Sequence, residues 1–285
     1  MRDRITAPEV HARKGGPRLT MVTAYDAPTA RVADEAGADM ILVGDSVANV
    51  VLGYDDTLSV TIDDMVHHTA AVARTEPAAL VVGDMPWMSY HVSPQDSVRN
   101  AALLVSEGGA GAIKLEGGRK RLATIEHILD AEIPVMGHLG LTPQSVHAMG
   151  GYRVQGKQAD TARDLLADAV ALADAGVFAI VLEGVPEVLA QVVTKEVSVP
   201  TIGIGAGVYC DGQVLVWHDV LGFKAGKDAK FVRRYGDLHN EGVASLRRFF
   251  SDVQSGAFPG DEETYHMSEE AAAALLGEEH PSADS

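Results

Sequence analysis

The sequence predicts an α/β protein, a single-domain (β/α)8 TIM barrel, and three observations predict it. Short apolar runs alternate with helical patterns along most of the 285 residues, an order that builds a parallel sheet with helical crossovers. Residues 36–46, 109–117 and 175–184 share one pattern: small residues, an apolar run, then an acid followed by a small residue. At 46% hydrophobic, a chain of this length can bury one large core, and the even strand and helix spacing favours one domain over two.

Taken in order, residues 19–25 read as the first strand, and Asp26 with Pro28 opens a helix that Gly37 ends. The second strand ends at Asp45. Residues 47–60, with Gly53-Tyr54-Asp55-Asp56, are long for a plain connection and are expected to fold over the strand ends as a lid. Thr61-Ile62-Asp63-Asp64 caps a helix to about Arg74; its adjacent His67 and His68 face different ways and cannot chelate together. The third strand ends at Asp84. Ser93-Pro94-Gln95-Asp96 starts a helix with a capping hydroxyl and Pro at the first helical position, and Gly108-Gly109 stops it.

The fourth strand carries Ala112-Ile113-Lys114-Leu115-Glu116-Gly117, and a helix over 119–131 leads to a fifth that ends at His138. A short helix from Thr142-Pro143 breaks at Gly150-Gly151-Tyr152. Residues 160–175 hold Leu165, Leu166, Ala169, Val170 and Leu172 at helical spacing, before a sixth strand that ends at Glu183. After a helix over 186–197, the seventh strand spans 200–207, with Gly203, Gly205 and Gly207 on one bare face. Their spacing is not a dinucleotide fingerprint. The eighth strand covers 213–218, and a helix over 237–253 closes the barrel domain, set at residues 1–266. The acidic, Ala/Glu-rich tail 267–285 reads as a short helix followed by disorder.

The chemistry concentrates at strand exits. In an extended chain Lys114 and Glu116 share a face, while Ile113 and Leu115 share the other. A lone Lys-x-Glu is an ordinary solvated strand end, but five successive strands here deliver Asp45, Asp84, Glu116, His138 and Glu183 to one rim, where barrels place their catalytic groups. Carboxylates so crowded repel unless a cation joins them. Oxygen ligands without Cys favour Mg²⁺ over Zn²⁺, with Asp45 and Asp84 the best ligands and Glu116 a third, acting through water. Such a metal can chelate a 2-oxo acid and stabilise its enolate, with Lys114 adding positive charge and Glu183 available as the base.

The bulk properties narrow the partners. A net charge of -17 argues against nucleic acid and anionic membranes. No apolar run approaches membrane-spanning length and the first residues lack a signal core, so the expected location is the cytoplasm. The single Cys210, in Tyr209-Cys210-Asp211-Gly212, is an incidental thiol.

The runs Thr23-Ala24-Tyr25-Asp26, Leu42-Val43-Gly44-Asp45-Ser46, Gly137-His138-Leu139-Gly140-Leu141-Thr142-Pro143-Gln144-Ser145, Gly150-Gly151-Tyr152-Arg153-Val154-Gln155-Gly156 and Gly203-Ile204-Gly205-Ala206-Gly207 resemble those of the ketopantoate hydroxymethyltransferase family. The resemblance covers residues 4–265. It implies a Mg²⁺-dependent barrel that moves a one-carbon unit from the co-substrate 5,10-methylenetetrahydrofolate to 3-methyl-2-oxobutanoate through a metal-stabilised enolate. The product is 2-dehydropantoate, on the route to pantothenate and coenzyme A. Position by position, it implies metal ligation and substrate contact for Asp45 and Asp84, a metal-associated acid at Glu116, and keto-acid contacts at Ser46 and Lys114. It implies a place beside the new hydroxymethyl group for His138, the base in Glu183, and a homo-oligomer, a decamer of barrels. A Mg²⁺-dependent 2-oxo-acid carbon-carbon lyase and a non-catalytic metal-binding barrel are the alternatives.

Overall fold

Eight parallel strands close on themselves, each hydrogen-bonded to its neighbours in sequence and the last to the first. In this computed structural model, which describes residues 2–223 and 228–277, they are β1 (Leu19–Thr23), β2 (Met40–Val43), β3 (Leu80–Asp84), β4 (Ala112–Glu116), β5 (Val135–Gly140), β6 (Ala179–Glu183), β7 (Thr201–Ile204) and β8 (Gly212–Leu215). α1 (Ala7–Ala12) precedes them, α2 (Ala27–Glu35), α3 (Val47–Val50), α4 (Ile62–Ala73), α5 (Pro94–Ser106), α6 (Leu122–Asp130), α7 (Val146–Met149), α8 (Ala159–Ala175) and α9 (Glu187–Glu196) run between them, and α10 (Trp217–Val220) follows β8. The architecture is the (β/α)8 barrel that the sequence predicts.

Local chemistry sets the helix starts. Asp26, Thr61 and Ser93 stand at the N-caps of α2, α4 and α5, each accepting from a backbone N–H of the first turn. The helix expected over 119–131 opens instead with a tighter turn, Arg119–Arg121, before α6. At the C-terminus of α8, Gly176 adopts φ +97°, a conformation that L side chains rarely enter.

Alternation along each strand divides the core in two. Inside the barrel, Met40, Leu42, Val82, Met136, Val181 and Val214 pack together. Outside, Ile41, Val81, Ile113, Leu115, Ile180 and Leu182 pack against the helices. Each such side chain contributes about 1.5–3 kcal/mol when fully buried, so a one-residue slip would exchange the two cores and is strongly disfavoured. The inward parity is what places the site. It runs Leu80, Val82, Asp84 on β3; Ala112, Lys114, Glu116 on β4; Met136, His138 on β5; and Ala179, Val181, Glu183 on β6. The charged residues are therefore the top layer of the barrel interior.

Four expected strands stop early, the first at Thr23 rather than residue 25, the second at Val43 rather than Asp45, and the seventh and eighth, while the fifth runs past His138 to Gly140. The seventh ends at Ile204, because Gly205 (φ +61°) and Gly207 (φ +79°) leave extended geometry; Gly203, Gly205 and Gly207 do not line one strand face. The eighth ends at Leu215, and residues predicted to extend it form α10, whose first backbone N–H is held by Thr23 Oγ1 at 2.9 Å. His67 and His68 meet only edge to face, at 5.5 Å between ring centroids, and His68 Nδ1 lies 2.7 Å from the Tyr25 carbonyl oxygen. Cys210 is fully buried.

Chain contacts separate two units, Met1–Gly236 and Asp237–Ser285. The second holds α11 (Leu238–Ser255), which overlaps the helix expected over 237–253, and α12 (Glu269–Leu276), the short helix expected in the tail. The disorder expected beyond it falls at residues 278–285, outside the described residues. No helix among the described residues is long and apolar enough to cross a membrane.

Candidate active site at the carboxyl end of the barrel

A cavity of about 430 Å³ opens at the carboxyl ends of the strands. Asp45, Ser46, Asp84, Lys114, His138 and Glu183, six of the seven residues singled out from the sequence, line it. Its apolar wall includes Leu42, Val181, Ile204 and Val214. Asn49, Val50, Asp55 and Thr57, from the segment expected to act as a lid, also face it. Glu116 is 4% exposed and in register with His138, but it is outside the cavity lining.

The charged groups form one connected array. Lys114 Nζ lies 2.9 Å from Asp84 Oδ1 and 3.3 Å from His138 Nδ1. Asp84 Oδ2 accepts from the backbone N–H of Asp45 at 3.1 Å. His138 Nδ1 lies 3.5 Å from Glu116 Oε1, and Nε2 lies 3.3 Å from Glu183 Oε2. An ammonium only donates, so His138 Nδ1 accepts from Lys114 and the ring proton sits on Nε2, facing Glu183. Neither Glu116 Oε1 nor His138 Nε2 makes a well-aligned hydrogen bond, a looseness common in catalytic sites without substrate. Ser46 Oγ, at the strand exit beside Asp45, is 2.8 Å from the hydroxyl of the fully buried Tyr25.

Four carboxylates crowd around the Lys114 ammonium, and the proton affinities of Asp45, Glu116 and Lys114 are displaced. Burial, reinforced by Asp84, raises Asp45 from 3.8 to about 7. Burial also lifts Glu116 well above the usual carboxylate range, with Asp45 adding to it. Burial works against the Lys114 ammonium, but Asp84, Glu116 and Asp45 together outweigh it and push its pKa up. Burial and then the Lys114 charge hold His138 low, which keeps its imidazole neutral near pH 7.

These residues fit a hard divalent cation. Asp45 and Asp84 offer carboxylate oxygen to the cavity, and Asp45 is raised first by burial and then by the neighbouring Asp84. Among the described residues, no group of three or more His, Cys, Asp or Glu converges tightly enough to hold a metal alone. That suits Mg²⁺, which commonly takes one or two protein carboxylates and keeps positions for water and substrate. Asp84 is already engaged at both oxygens, by Lys114 and by the Asp45 N–H, so Asp45 carries the freer oxygen.

Two neutral residues of the array escape a reading that looks for charge. Gln144 is 5% exposed and bridges Asp45 and Glu116; Tyr90, 1% exposed, donates to Gln144 Oε1 at 2.6 Å. Gln144 does stand inside Thr142-Pro143-Gln144-Ser145, where a polar amide beside a helix-starting Pro was the available signal. Asp219 on α10 also lines the cavity; it directly follows the eighth strand predicted over 213–218 and was not singled out from the sequence.

Against known proteins, the chain matches the family model described as ketopantoate hydroxymethyltransferase over residues 4–261. It is 56% identical over 257 residues to 3-methyl-2-oxobutanoate hydroxymethyltransferase of Koribacter versatilis (strain Ellin345), covering 90% of this chain and 87% of that one. It is 52% identical over 277 residues to the protein of that name from Syntrophobacter fumaroxidans (strain DSM 10017 / MPOB), covering 97% and 98%. Among solved structures it resembles phosphonopyruvate hydrolase (TM-score 0.59, 14% identity, 96% and 95% covered). It also resembles 2,3-dimethylmalate lyase, described as a member of the PEP mutase/isocitrate lyase superfamily (TM-score 0.56, 18% identity, 95% and 94% covered). At such identities these structures speak to the fold alone.

Proposed function

The chain belongs to the ketopantoate hydroxymethyltransferase family, and from that premise we propose that the rim of charged residues around its cavity carries the reaction. The enzyme is a 3-methyl-2-oxobutanoate hydroxymethyltransferase, a one-carbon transferase of pantothenate biosynthesis acting on small molecules. We assign the one-carbon donor to 5,10-methylenetetrahydrofolate, the metal to Mg²⁺ on Asp45 and Asp84, and a supporting role to Glu116. When bound, Mg²⁺ supplies positive charge to the keto and carboxylate oxygens of the substrate and so acidifies C3.

The chain's own groups do the rest. Lys114, held against Asp84, sets a fixed ammonium where negative charge grows on the keto oxygen. Glu183 takes the C3 proton from the opposite wall, and the His138 Nε2–H that faces it at 3.3 Å orients the carboxylate. The family resemblance supports a further role for His138 beside the new hydroxymethyl group. Ser46 Oγ, oriented by Tyr25, contacts the keto acid. Leu42, Val181, Ile204 and Val214 receive its branched apolar end and exclude water from the carbanion.

The single observation that carries this reading is that Lys114 and Glu183, from different strands, face one cavity with a neutral His138 between them. The test is incubation with 3-methyl-2-oxobutanoate and Mg²⁺ in D₂O, without folate. Deuterium is expected at C3, and addition of 5,10-methylenetetrahydrofolate converts the acid to 2-dehydropantoate by mass. Failure of both C3 exchange and conversion would overturn this reading. The acidic, span-free chain supports a cytoplasmic location, and the family resemblance supports a homo-oligomer; sedimentation velocity checks the latter.

A further inference from the structure

Gln144 lies in the turn Pro143–Ser145 that follows β5, and every polar atom of its side chain is occupied. Nε2 donates to Asp45 Oδ2 at 2.9 Å and to the Met85 carbonyl oxygen at 3.0 Å. Oε1 accepts from the Tyr90 hydroxyl at 2.6 Å. Its backbone N–H donates to Glu116 Oε2 at 3.1 Å. Tyr90 closes the circuit, since its oxygen accepts from the backbone N–H of Glu116 at 3.3 Å.

The circuit dictates which way the amide points. The Tyr90 oxygen receives the Glu116 N–H, so its single proton goes to Gln144 Oε1. Nε2 is then left facing two oxygens that only accept. A reversed amide would set its oxygen against a carboxylate and a carbonyl, leaving buried acceptors unpaired. The orientation is thus fixed by the network rather than by the residue alone.

We propose that Gln144 is a positioning residue for the reaction: one residue holds Asp45 Oδ2 and Glu116 Oε2 together and leaves Asp45 Oδ1 for the cavity. No hydrogen bond among the described residues engages Asp45 Oδ1. The role deepens the Mg²⁺-dependent reading and rests on it. Groups that orient ligating side chains are typically worth 10–100-fold in metal affinity or activity. Tyr90 acts one step further out, through the amide.

Two variants of the full chain test this. Gln144→Met keeps length and loses both donors; Tyr90→Phe keeps Gln144 and removes the proton that orients it. Each is measured for thermal midpoint, for Kd of Mg²⁺ alone by calorimetry, and for C3 exchange resolved into kcat and KM. Gln144→Met is expected to weaken Mg²⁺ binding about 10–100-fold and to lower exchange kcat by a similar factor. Tyr90→Phe loses less, and the double variant loses no more than Gln144→Met, as a shared path requires. A folded Gln144→Met with wild-type Kd and kcat overturns the proposal, and so does full additivity of the two losses. If Gln144→Met does not fold, Tyr90→Phe decides, and unchanged Kd and kcat overturn it. Absence of both exchange and turnover in the wild type overturns the functional reading instead, while Mg²⁺ titration still judges Gln144.

Discussion

Lys114 Nζ stands 2.9 Å from Asp84 Oδ1 with the two side chains 4% and 1% exposed, so the ion pair is sealed inside the barrel. The desolvation cost of such a pair offsets much of its attraction, which makes it weak evidence for stability and better evidence for function. Its partners define what happens when one member goes.

Lys114→Met removes the ammonium that faces Asp45, Asp84 and Glu116. Breaking a buried pair costs about 3–5 kcal/mol. Urea unfolding at pH 8 with chelator present is expected to show a loss of that order, partly restored by Mg²⁺, with C3 exchange abolished. A variant as stable as the wild type would mean that water reaches these acids.

The pH response follows from Asp45, raised from 3.8 to about 7 by burial and then by Asp84. Between those values the folded chain holds a proton that the unfolded chain has released. Without Mg²⁺, the Asp45 contribution to stability therefore falls as pH rises from 3.8 to about 7. Mg²⁺ needs the carboxylate, so binding displaces that proton and becomes more favourable over the same interval. The rise in melting midpoint on adding Mg²⁺ should grow from pH 6 to pH 8 in differential scanning fluorimetry. An equal rise at both would detach Asp45 from the metal.

Glu183→Gln keeps the size of the side chain and removes the proposed base. C3 exchange is expected to fall by about 10²–10⁴-fold, while the Kd for Mg²⁺, held by other strands, stays at its wild-type value. Retained exchange would move the base elsewhere.

Gly140→Ala tests how β5 and β6 seat Glu183. Gly140 has φ +96° and is in register with Glu183, and an added Cβ would meet the Glu183 carbonyl oxygen at 2.1 Å. Backbone must move, so both stability and exchange kcat should drop, the former by more than the roughly 1–2 kcal/mol of a left-handed L residue. Gly176→Ala is the control: φ is +97° but the nearest atom is 3.9 Å away, so it pays the conformational cost with kcat unchanged. Equal kcat in the two variants would deny Gly140 any hold on Glu183.

The charged half of the site was legible because strand periodicity carries it. Lys114 and Glu116 fall two apart, as do Val82 and Asp84, or Val181 and Glu183, and a period of two keeps each pair on one face. The ends of β7 and β8 were less legible. Glycines at 203, 205 and 207 alternate as letters, yet two of them take positive φ, and nothing local marks Trp217 as the start of a helix rather than the end of a strand.

By itself the sequence determined the barrel, the order of its staves and the acids at their exits, since repeat length, capping residues and alternation are all local properties of a chain. Only the tertiary structure decided that Glu116 is outside the cavity lining, that His138 lies between Lys114 and Glu183, and that Gln144 is hydrogen-bonded to Asp45, Glu116 and Tyr90. Those are contacts between strands and loops far apart in sequence, and a neutral side chain gains its role only from what surrounds it once buried.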